Sequence, residues 1–563
     1  MIVLGIADNH DSGAALLIDG TLVAAINQER IDRKKNSGAF PWGAIDAVMD
    51  AGDVRPQNVD RIVIGTSFTP SSILRAFPTQ HHTARGNGQF SSLLHAYILY
   101  QSALKKTGLH TLEVDASRAI LQRRLRSRPF LNAELEMCDH HRAHAQGAYR
   151  TQERDHCLVL TLDAMGDGTT ATASMGRNNQ LDLLWRQSGT AAINTFYSRI
   201  TQILGFTPNR HEGKITGLAA YVAPPKRLLD HCRKTIFFRN GRFSTMRRRK
   251  PGNPTDPFWN EFNNWSKEEV AAVAQKIIEE CATAYVTFWV NKTGCPHVAL
   301  AGGIFANVKL NQRICEVGPV ETVWVMPHMG DGGLPVGAAL GSMGIHPQRL
   351  ASAYLGPLFT DKDARKALSL ANLPRNQHEQ NGGVVHTVAQ RLAEGQVIAR
   401  CGGRMEWGPR ALGNRSILAM ANDETINQTL NARLKRTEFM PFAPIVRAED
   451  ATRWFSGVAR ARDSARFMTV CFETTTEFQN KCPAAVHVDQ TARPQLVSKD
   501  DNAEIHALLT KMDALTGVPV LINTSFNMHE EPIVCSAMDA TRAWQQAELD
   551  GLWLGPYFVD GKP

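Results

Sequence analysis

The clearest indication of the fold is the segment Cys157–Ser174, which reads CLVLTLDAMGDGTTATAS. An apolar run ends in a loop rich in Asp and Gly, and a second apolar run follows that loop. Val3–Ile18, VLGIADNHDSGAALLI, repeats the order of strand, polar loop and strand. Loops of this kind hold phosphates on backbone N–H groups. Two such units predict a duplicated fold with a nucleotide or phosphate between its halves.

Between the two units lies a histidine-rich stretch, Asp139–Ala145, whose sequence DHHRAHA indicates a helix. His140 and His144 are four residues apart and share one face of that helix, whereas His141 points about 100° away. Two imidazoles at this spacing form half of a divalent metal site. A helix that merely carries surface histidines explains this stretch equally well when it is taken alone.

Two aspartates at the ends of predicted strands, Asp163 and Asp331, supply the carboxylates that such a metal site needs. Each stands beside glycines, so the alternative interpretation is that both are turn residues that cap glycine loops. Near two glycine-rich loops, a metal at this place would bridge the phosphates of a nucleotide.

A second composition begins near Gly356, and its densest stretch is Gly402–Ser416, GGRMEWGPRALGNRS. Arginine side chains match the oxygens of phosphate and carboxylate, so a pocket with several arginines predicts a small, highly charged acyl or carbamoyl phosphate. The simpler interpretation for any single arginine is an ion pair that holds the domain together. The candidate partners for such pairs are Glu406, Glu438 and Asp489.

Length, charge and cysteine content set the broad class. A chain of 563 residues is too long for one hydrophobic core, so two or more domains are expected. The ten cysteines are scattered, which favours reduced, buried thiols. No stretch is long and apolar enough to cross a bilayer, and the chain enters a strand at once without a basic leader, so we expect no membrane association and a cytoplasmic protein.

The net charge of +8 is concentrated in two basic clusters, Arg123–Arg128 and Arg247–Lys250. Solvated loops are the ordinary explanation of short charge runs, and a surface for a polyanion is the functional one. Helices are predicted over residues 42–52, 88–125 and 266–292, and an irregular insertion or lid over residues 230–265.

Nine short motifs, taken in order along nearly the whole chain, resemble the O-carbamoyltransferase family of nodulation and antibiotic-tailoring enzymes. They are NHDSGAA (9–15), QER (28–30) with Lys34 and Lys35, HHRAHA (140–145), LDAMGDG (162–168), AGGIFAN (301–307), GDGG (330–333), MEWGPRALGNR (405–415), PFAP (441–444) and NTSFN (523–527).

The resemblance implies an α/β protein of two domains. Residues 1–355 are expected to form a two-lobed, actin-like (ASKHA) domain similar to the tRNA threonylcarbamoyl-transfer protein. Residues 356–545 are expected to form a YrdC-like twisted α/β domain that makes a carbamoyl-adenylate. The tail, residues 546–563, is expected to pack back on the first domain.

The implied activity is ATP-dependent O-carbamoyl transfer. Carbamoyl phosphate and ATP give carbamoyl-adenylate and pyrophosphate, and an acceptor hydroxyl then takes the carbamoyl group as AMP leaves. The cofactors implied are ATP and a divalent metal, Fe²⁺ first, with Mn²⁺, Mg²⁺ and Zn²⁺ as alternatives. The acceptor is either a small natural product or sugar alcohol, or a hydroxymethylated base in DNA, and a homodimer is one arrangement to consider.

The family's functional residues transfer to matching positions of this sequence. The metal ligands are His140, His144, Asp163 and Asp331. The nucleotide contacts are Lys34, Lys35, Gly302, Gly303 and Asn307, together with Asp163 and Asp331. His10 takes the proton of the acceptor hydroxyl, with Lys35 and Arg410 as further catalytic residues. The carbamoyl phosphate contacts are Arg410, Arg493 and Asn523, with Arg436 or Arg447 as a third arginine.

Two other classes of protein compete with this interpretation. An actin-like kinase or ATPase explains the paired glycine loops but leaves the histidine pair and the arginine-rich domain without a role. A nucleotide-dependent nucleic-acid-binding protein explains the basic clusters but not the metal constellation. Turnover of ATP that depends on carbamoyl phosphate distinguishes the transferase from both.

Overall fold

The computed structural model describes residues 1–77, 92–130, 132–188, 192–244, 257–374, 383–436 and 439–561. The chain is a mixed α/β protein that divides into two compact units. The first unit contains Met1–Gln28 and Asn36–Leu350, and the second contains Glu29–Lys35 and Ala351–Pro563. The sequence placed the corresponding boundary at residues 355 and 356.

The first sheet of the first unit is built around the N-terminal strand. Its strands are β1 (Ile2–Ala7), β2 (Gly13–Ile18), β3 (Thr21–Asn27), β4 (Arg61–Ile64) and β5 (Glu134–Met137). They lie in the order β3-β2-β1-β4-β5, with antiparallel pairing within β1–β3 and parallel pairing from β1 to β4 and β5. Asp19 and Gly20, which join β2 to β3, both have positive φ, as a two-residue hairpin turn requires.

The second sheet of this unit repeats the arrangement. The next strands along the chain are β6 (Cys157–Gly166), β7 (Thr169–Arg177), β8 (Gln180–Ser188), β9 (Phe238–Arg239), β10 (Arg242–Phe243), β11 (His297–Ala301) and β12 (Thr322–Val325). The order β12-β11-β6-β7-β8 mirrors that of the first sheet, with the same antiparallel and parallel pairs. The duplication that the two glycine-rich loops predicted is therefore confirmed; β9 and β10 form a separate hairpin.

The helices of the first unit cover these sheets. They are Trp42–Ala51, Ser72–Ala76, Ser92–Thr107, His110–Leu125, His140–Arg150, Ala192–Ile203, Glu212–Leu218, Lys226–Arg233, Lys267–Thr293, Val308–Cys315 and Leu334–Met343, with 3-10 turns at Pro56–Asn58, Pro257–Asn264, Gly303–Ala306 and Asp331–Gly333. The helix predicted over residues 88–125 is interrupted at Gly108, whose φ of 78° ends one helix before the next begins. Residues 88–91 of that prediction lie outside the described residues.

The histidine-bearing helix His140–Arg150 packs closely on Leu334–Met343, and small residues permit the approach. A Cβ atom at Gly337 would lie 1.9 Å from the carbonyl oxygen of Ala143, so only glycine fits there. The two helices are thereby fixed against each other beside the carboxyl ends of the strands, where the predicted site residues lie.

The second unit contains a mixed sheet. The remaining strands are β13 (Ile398–Cys401), β14 (Arg415–Met420), β15 (Ala443–Arg447), β16 (Phe472–Glu473), β17 (Thr491–Ala492), β18 (Gln495–Val497), β19 (Val520–Ser525), β20 (Gly551–Leu554) and β21 (Tyr557–Asp560). The order of the large sheet is β18-β15-β19-β14-β13-β20-β21, and β16 pairs with β17. The helices Gly383–Ala393 and Ala503–Thr516 pack on this sheet through a buried apolar cluster that includes Leu392 and Leu508.

The other helices of the second unit are short. They are Glu29–Asp32, Asp361–Leu370, Thr425–Arg433, Ala451–Trp454, Arg462–Ala465, Thr476–Lys481 and Ala537–Gln546, with 3-10 turns at Ala448–Asp450, Val458–Ala461 and Pro483–Ala485.

The expectation that residues 546–563 pack back on the first domain is wrong. β20 pairs in parallel with β13 in the sheet of the second unit, and β21 continues that sheet. The physical reason is the apolar sequence of β20, whose residues are all buried in the second unit.

Two predictions from composition can be compared with the structure. All ten cysteines are free thiols, and nine of them are buried, as the sequence predicted. Among the described residues, no helix combines the length and the apolar character needed to span a membrane.

Candidate active site

Four side chains converge in the first unit: His140, His144, Asp163 and Asp331. Their nearest ligand atoms all lie within 4.8 Å of one another. Nε2 of His140 is 3.4 Å from Oδ2 of Asp163 and 3.5 Å from Oδ1 of Asp331, and Nε2 of His144 is 3.6 Å from the same Asp331 oxygen. The sequence predicted this grouping, and the structure brings all four residues together.

The electrostatics of the cluster favour a cation at its centre. Burial lowers the pKa of His140, but Asp331 and Asp163 outweigh burial and raise that pKa to about 9. Burial opposes ionisation of Asp163, yet its hydrogen bond to His140 and the charges of both histidines hold its pKa well below the usual range. The buried Asp163 and the half-buried Asp331 thus favour a proton on His140, and a divalent metal ion at the same place would balance the same negative charge.

The donor set also fits a metal ion chemically. Two imidazole nitrogens and two carboxylates suit Fe²⁺, Mn²⁺ or Zn²⁺. Two donor atoms that each lie about 2.1 Å from one ion are at most about 4.2 Å apart. The three His–Asp distances given above and the distance between the two histidines are all within that limit. The separation between Nε2 of His140 and Nε2 of His144, for example, is 3.1 Å.

Asp163 is presented to the histidines by an irregularity in β6. The regular pairing of β6 with β7 is interrupted between Leu162 and Gly166. Oδ1 of Asp163 accepts the backbone N–H of Gly303 at 2.8 Å, while Oδ2 faces His140. Gly302 has a φ of 108°, and a Cβ atom there would lie 2.3 Å from the carbonyl oxygen of Leu162. The predicted Gly302–Gly303 loop therefore lies directly against the candidate metal ligand.

His10 and Asn9 reach the same cluster from the loop between β1 and β2. Asn9 donates its side-chain N–H to Oδ2 of Asp331 at 2.8 Å, and Nδ1 of His10 lies 3.2 Å from that oxygen. The His10 side chain is 23% exposed, so it lies at the edge between the cluster and solvent. The loop between β1 and β2 thus meets the loop that carries Asp331 at one carboxylate.

His141 has a separate, internal role, as its direction on the helix predicted. Burial, together with the neighbouring charges of His140 and His144, lowers the pKa of His141 to about 3, so the ring is neutral. Its Nδ1 is 2.7 Å from the hydroxyl of Thr161, and its Nε2 is 3.0 Å from the carbonyl oxygen of Thr169. These bonds attach the helix to β6 and β7.

The sequence did not reveal a second polar network, whose central residue, Asp11, belongs to the motif NHDSGAA. Asp11 accepts the side-chain N–H of Asn27 at 2.8 Å and the backbone N–H of Gly332 at 3.1 Å. His328 lies 3.1 Å from the side-chain oxygen of Asn27. This network joins the first glycine-rich loop to the loop that carries Asp331. Gly332 makes room for this network, because a Cβ atom there would lie 2.2 Å from the His328 ring.

Asn307, predicted on the adenosine side, is engaged in internal hydrogen bonds. Its side-chain oxygen accepts the backbone N–H of Leu310, which caps the helix Val308–Cys315. Its side-chain N–H donates to Gln275 at 2.8 Å. Asn307 therefore fixes the end of the glycine loop to the long helix Lys267–Thr293.

The predicted nucleotide lysines Lys34 and Lys35 belong to the second unit, in the segment Glu29–Lys35. Lys34 is exposed, whereas Lys35 is partly buried. Burial lowers the pKa of Lys35; Glu29 and Glu530 oppose that shift, and Arg436 reinforces it. Lys35 is thus close to one of the arginines predicted to contact carbamoyl phosphate.

Two of the predicted anion contacts of this unit, Arg436 and Asn523, lie at the segment Asn523–Asn527, which spans the end of β19. Arg436 donates to Thr524, to Ser525 and to Asn527 at 2.7–3.2 Å. Asn523 donates to the carbonyl oxygen of Ala411, beside Arg410, and to Gln495, two residues after Arg493. The segment therefore connects the neighbourhoods of three predicted arginines.

Arg447 is placed differently from Arg436. It forms ion pairs with Asp450 at 2.6 Å and with Asp513 at 2.9 Å. Of the two arginines that the sequence left open, Arg436 is therefore the one that contacts Asn523–Asn527.

The loop Gly402–Ser416 is organised by Glu406, whose role the sequence did not reveal. Its Oε1 accepts the backbone N–H groups of Leu412, Asn414 and Arg415 at 2.8, 2.8 and 3.0 Å. Among the described residues no arginine forms an ion pair with Glu406, so the expectation that it pairs with an arginine is wrong; the carboxylate holds backbone amides instead. Glu438, a second candidate partner, lies outside the described residues.

Two arginines of this loop hold backbone carbonyl groups. Arg404 donates to Leu355 and Gly356, and the buried Arg415 donates to Gly402 and Cys535. Asp489, the third candidate partner, accepts from Thr491 and lies 3.3 Å from Nδ1 of His487.

The basic clusters divide between internal contacts and solvent. In Arg123–Arg128, Arg128 pairs with Asp46 and stacks on Trp42, and Arg124 stacks on Phe40. Arg123 and Arg126 are exposed. The second cluster, Arg247–Lys250, lies outside the described residues.

Comparison with known proteins identifies the family to which this chain is similar. Models described as the N-terminus and the C-terminus of carbamoyltransferases match residues 2–340 and 389–561. Nodulation protein NolNO of Sinorhizobium fredii is 30% identical over 98% of this chain and 79% of its own length. An uncharacterised protein of Synechocystis is also 30% identical, over 98% of this chain and 95% of its own.

Among solved structures, HypF of T. kodakarensis aligns over 61% of this chain and 47% of its own, at 13% identity and a TM-score of 0.32. A score this low carries no argument about the fold or the function. The two family models together span most of the chain, in the order of the two units. The chain belongs to the carbamoyltransferase family and is a carbamoyl-transferring enzyme.

Proposed function

We propose that the chain is an ATP-dependent O-carbamoyltransferase that works through carbamoyl-adenylate. Water first releases phosphate from carbamoyl phosphate and leaves carbamate. An oxygen of carbamate then attacks the α-phosphorus of ATP, forming carbamoyl-adenylate as pyrophosphate leaves. Finally, an acceptor hydroxyl attacks the carbamoyl carbon, the hydroxyl proton is removed, and AMP departs.

The observation that carries this proposal is the convergence of His140, His144, Asp163 and Asp331 beside the glycine-rich loops of a duplicated fold. These residues would hold a divalent cation, which supplies compensation for phosphate charge when bound. A fold of this kind, actin-like in its duplication, would place the nucleotide near the loops that carry Gly302 and Asp331.

His10 is positioned for the proton of the acceptor hydroxyl. An imidazole with an ordinary pKa near 6.5 is a suitable base at neutral pH. Nδ1 of His10 faces Asp331 at 3.2 Å, so this carboxylate stabilises the imidazolium that forms when the ring takes up the proton. Asn9, which also binds Asp331, keeps the carboxylate in place.

The second unit, which would correspond to the YrdC-like domain, would bind and activate carbamoyl phosphate. The supporting observation is the segment Asn523–Asn527, which Arg436 contacts and which connects the neighbourhoods of Arg410 and Arg493. Lys35 adds a further positive charge close to Arg436. Several converging cations compensate the charge of a small phosphate and hold it away from bulk water.

The acceptor is either a small alcohol or a hydroxymethylated base in DNA, and the basic cluster Arg123–Arg128 gives little support to the second. Arg124 and Arg128 are engaged with Phe40, Trp42 and Asp46, so they are not available to a nucleic acid backbone. Arg123 and Arg126 alone make a small electrostatic footprint for a polyanion.

The test measures the products of ATP turnover in the purified full chain. With ATP and carbamoyl phosphate, we expect pyrophosphate, and we expect AMP once an acceptor hydroxyl or water takes the carbamoyl group; neither product should form when carbamoyl phosphate is left out. His144→Ala should abolish carbamoyl transfer to an acceptor, whereas His156→Ala, an exposed histidine of the same unit, should not. Release of ADP without regard to carbamoyl phosphate would instead establish the kinase or ATPase alternative.

A further inference from the structure

Asp167 is a buried carboxylate that the proposed mechanism does not use. It lies in the loop between β6 and β7, and none of its surface is exposed. Oδ2 accepts the backbone N–H groups of Ser67 at 2.7 Å and of His140 at 2.9 Å, and Oδ1 accepts that of Phe68 at 2.9 Å. One side chain thus ties together the loop, the start of the histidine-bearing helix and the segment after β4.

The same loop also touches the side chain of His140. A Cβ atom at Gly166 would lie 2.1 Å from Cγ of His140, so the loop backbone lies directly on the ring. Asp167 itself has a φ of 48°, a left-handed conformation that aspartate tolerates better than most residues. Its own N–H donates to the hydroxyl of Thr69 at 2.8 Å, which holds the conformation. Residues Gly166 and Asp167 therefore contact both the ring and the backbone N–H of His140.

The first three backbone N–H groups of the helix are divided between two carboxylates. Asp139 accepts those of His141 and Arg142, and Lys105 pairs with Asp139 at 2.8 Å. The N–H of His140 is the one taken by Asp167. Asp139 is the expected N-cap of a helix, but Asp167 arrives from a distant loop and holds the residue that carries a candidate ligand.

We infer that Asp167 is a positioning residue that sets His140 against Asp163 and Asp331 for cation binding. The inference rests on the proposed function, since it concerns the metal ion that those residues would hold. Both Asp167 oxygens accept backbone N–H groups, so it acts through His140 rather than as a ligand. Residues that orient metal ligands typically contribute about 10- to 100-fold to metal affinity.

Asp155 provides a matched control in the same unit. It accepts the backbone N–H groups of Asn178 and Asn179 at 2.5 and 2.7 Å, and the hydroxyl of Tyr149. It therefore holds a turn as Asp167 does, but it contacts none of the four candidate ligands. If Asp167 only holds a turn, its substitution should affect metal binding no more than substitution of Asp155.

The experiment titrates the metal-free full chain with Co²⁺ and with Mn²⁺, and records the visible absorption of bound Co²⁺. Asp167→Asn keeps the shape of the side chain but replaces one accepting oxygen with an N–H₂ group that faces backbone donors. We expect it to bind both metals about 10- to 100-fold more weakly and to shift the Co²⁺ spectrum. Asp155→Asn should match the wild type in affinity and spectrum.

Each other outcome has a definite meaning. Unchanged affinity and an unchanged spectrum in Asp167→Asn would overturn the inference. Failure of the wild-type chain to bind either metal would instead overturn the metal site of the proposed function. If Asp167→Asn does not fold, Thr69→Val replaces it as the test, because it removes the hydroxyl that accepts the Asp167 N–H. Weaker metal binding by Thr69→Val would support the inference, and unchanged metal binding would overturn it.

Discussion

The contact between Gly166 and His140 gives a prediction whose size follows from the structure. Gly166→Ala adds a Cβ atom 2.1 Å from Cγ of His140, whereas ordinary contacts of this kind begin near 3.4 Å. The ring must therefore move by about 1.3 Å, or the loop must move by the same amount. A misplacement of about 1 Å in an active site costs up to about 100-fold in rate, even when the substituted residue does not itself react. We expect a loss of that order in carbamoyl transfer, with weaker metal binding.

The assay compares Gly166→Ala with Gly213→Ala in carbamoyl transfer and in Co²⁺ affinity. Gly213 lies in the helix Glu212–Leu218 of the same unit, and an added Cβ atom there meets nothing within 4 Å. Gly213→Ala should leave both quantities close to the wild-type values. Wild-type activity and affinity in Gly166→Ala would refute the reasoning, because the ring position would then not matter.

Three further predictions concern the second unit. Glu406→Gln should lower the free energy of unfolding by about 1–3 kcal/mol in denaturant titrations, because the carboxylate accepts three backbone N–H groups; an unchanged midpoint would contradict this. Arg436→Lys should raise the KM for carbamoyl phosphate about 10-fold or more, since lysine cannot reproduce its fork of contacts; the KM for ATP serves as the internal control. Burial lowers the pKa of Lys35, so its positive charge is lost at a lower pH than that of an ordinary lysine. The KM for carbamoyl phosphate should accordingly rise as pH increases through that lowered pKa, and Lys35→Arg should move the rise to higher pH; identical pH profiles would count against this role.

Local patterns in the sequence predicted the duplicated sheets and the candidate ligands. The alternation of apolar runs with Asp- and Gly-rich loops is a short-range signal, and it marks β1–β2 and β6–β7 correctly. Asp163 and Asp331 were found because each stands at the end of a predicted strand, in a glycine-rich loop. His140 and His144 could be placed on one face of a helix from their spacing alone, because residues four apart are neighbours on the helix surface.

The features that were missed depend on contacts distant in sequence. The tail joins the sheet through β20, which pairs with β13 about 150 residues earlier, and an apolar run does not reveal its partner. Arg447 pairs with Asp513, 66 residues away. Asp167 and Glu406 hold backbone N–H groups, and in a sequence such carboxylates look like any turn aspartate or loop glutamate.

In the proposed mechanism, carbamoyl phosphate and ATP react to form an adenylate before any acceptor is bound. The most direct measurement is the exchange of labelled pyrophosphate into ATP, catalysed by the full chain without acceptor. We expect exchange that requires carbamoyl phosphate. Arg436→Ala should reduce it strongly, because this substitution removes the contacts to Thr524, Ser525 and Asn527. Absence of exchange in a preparation that still carbamoylates an acceptor, or exchange that proceeds without carbamoyl phosphate, would contradict it.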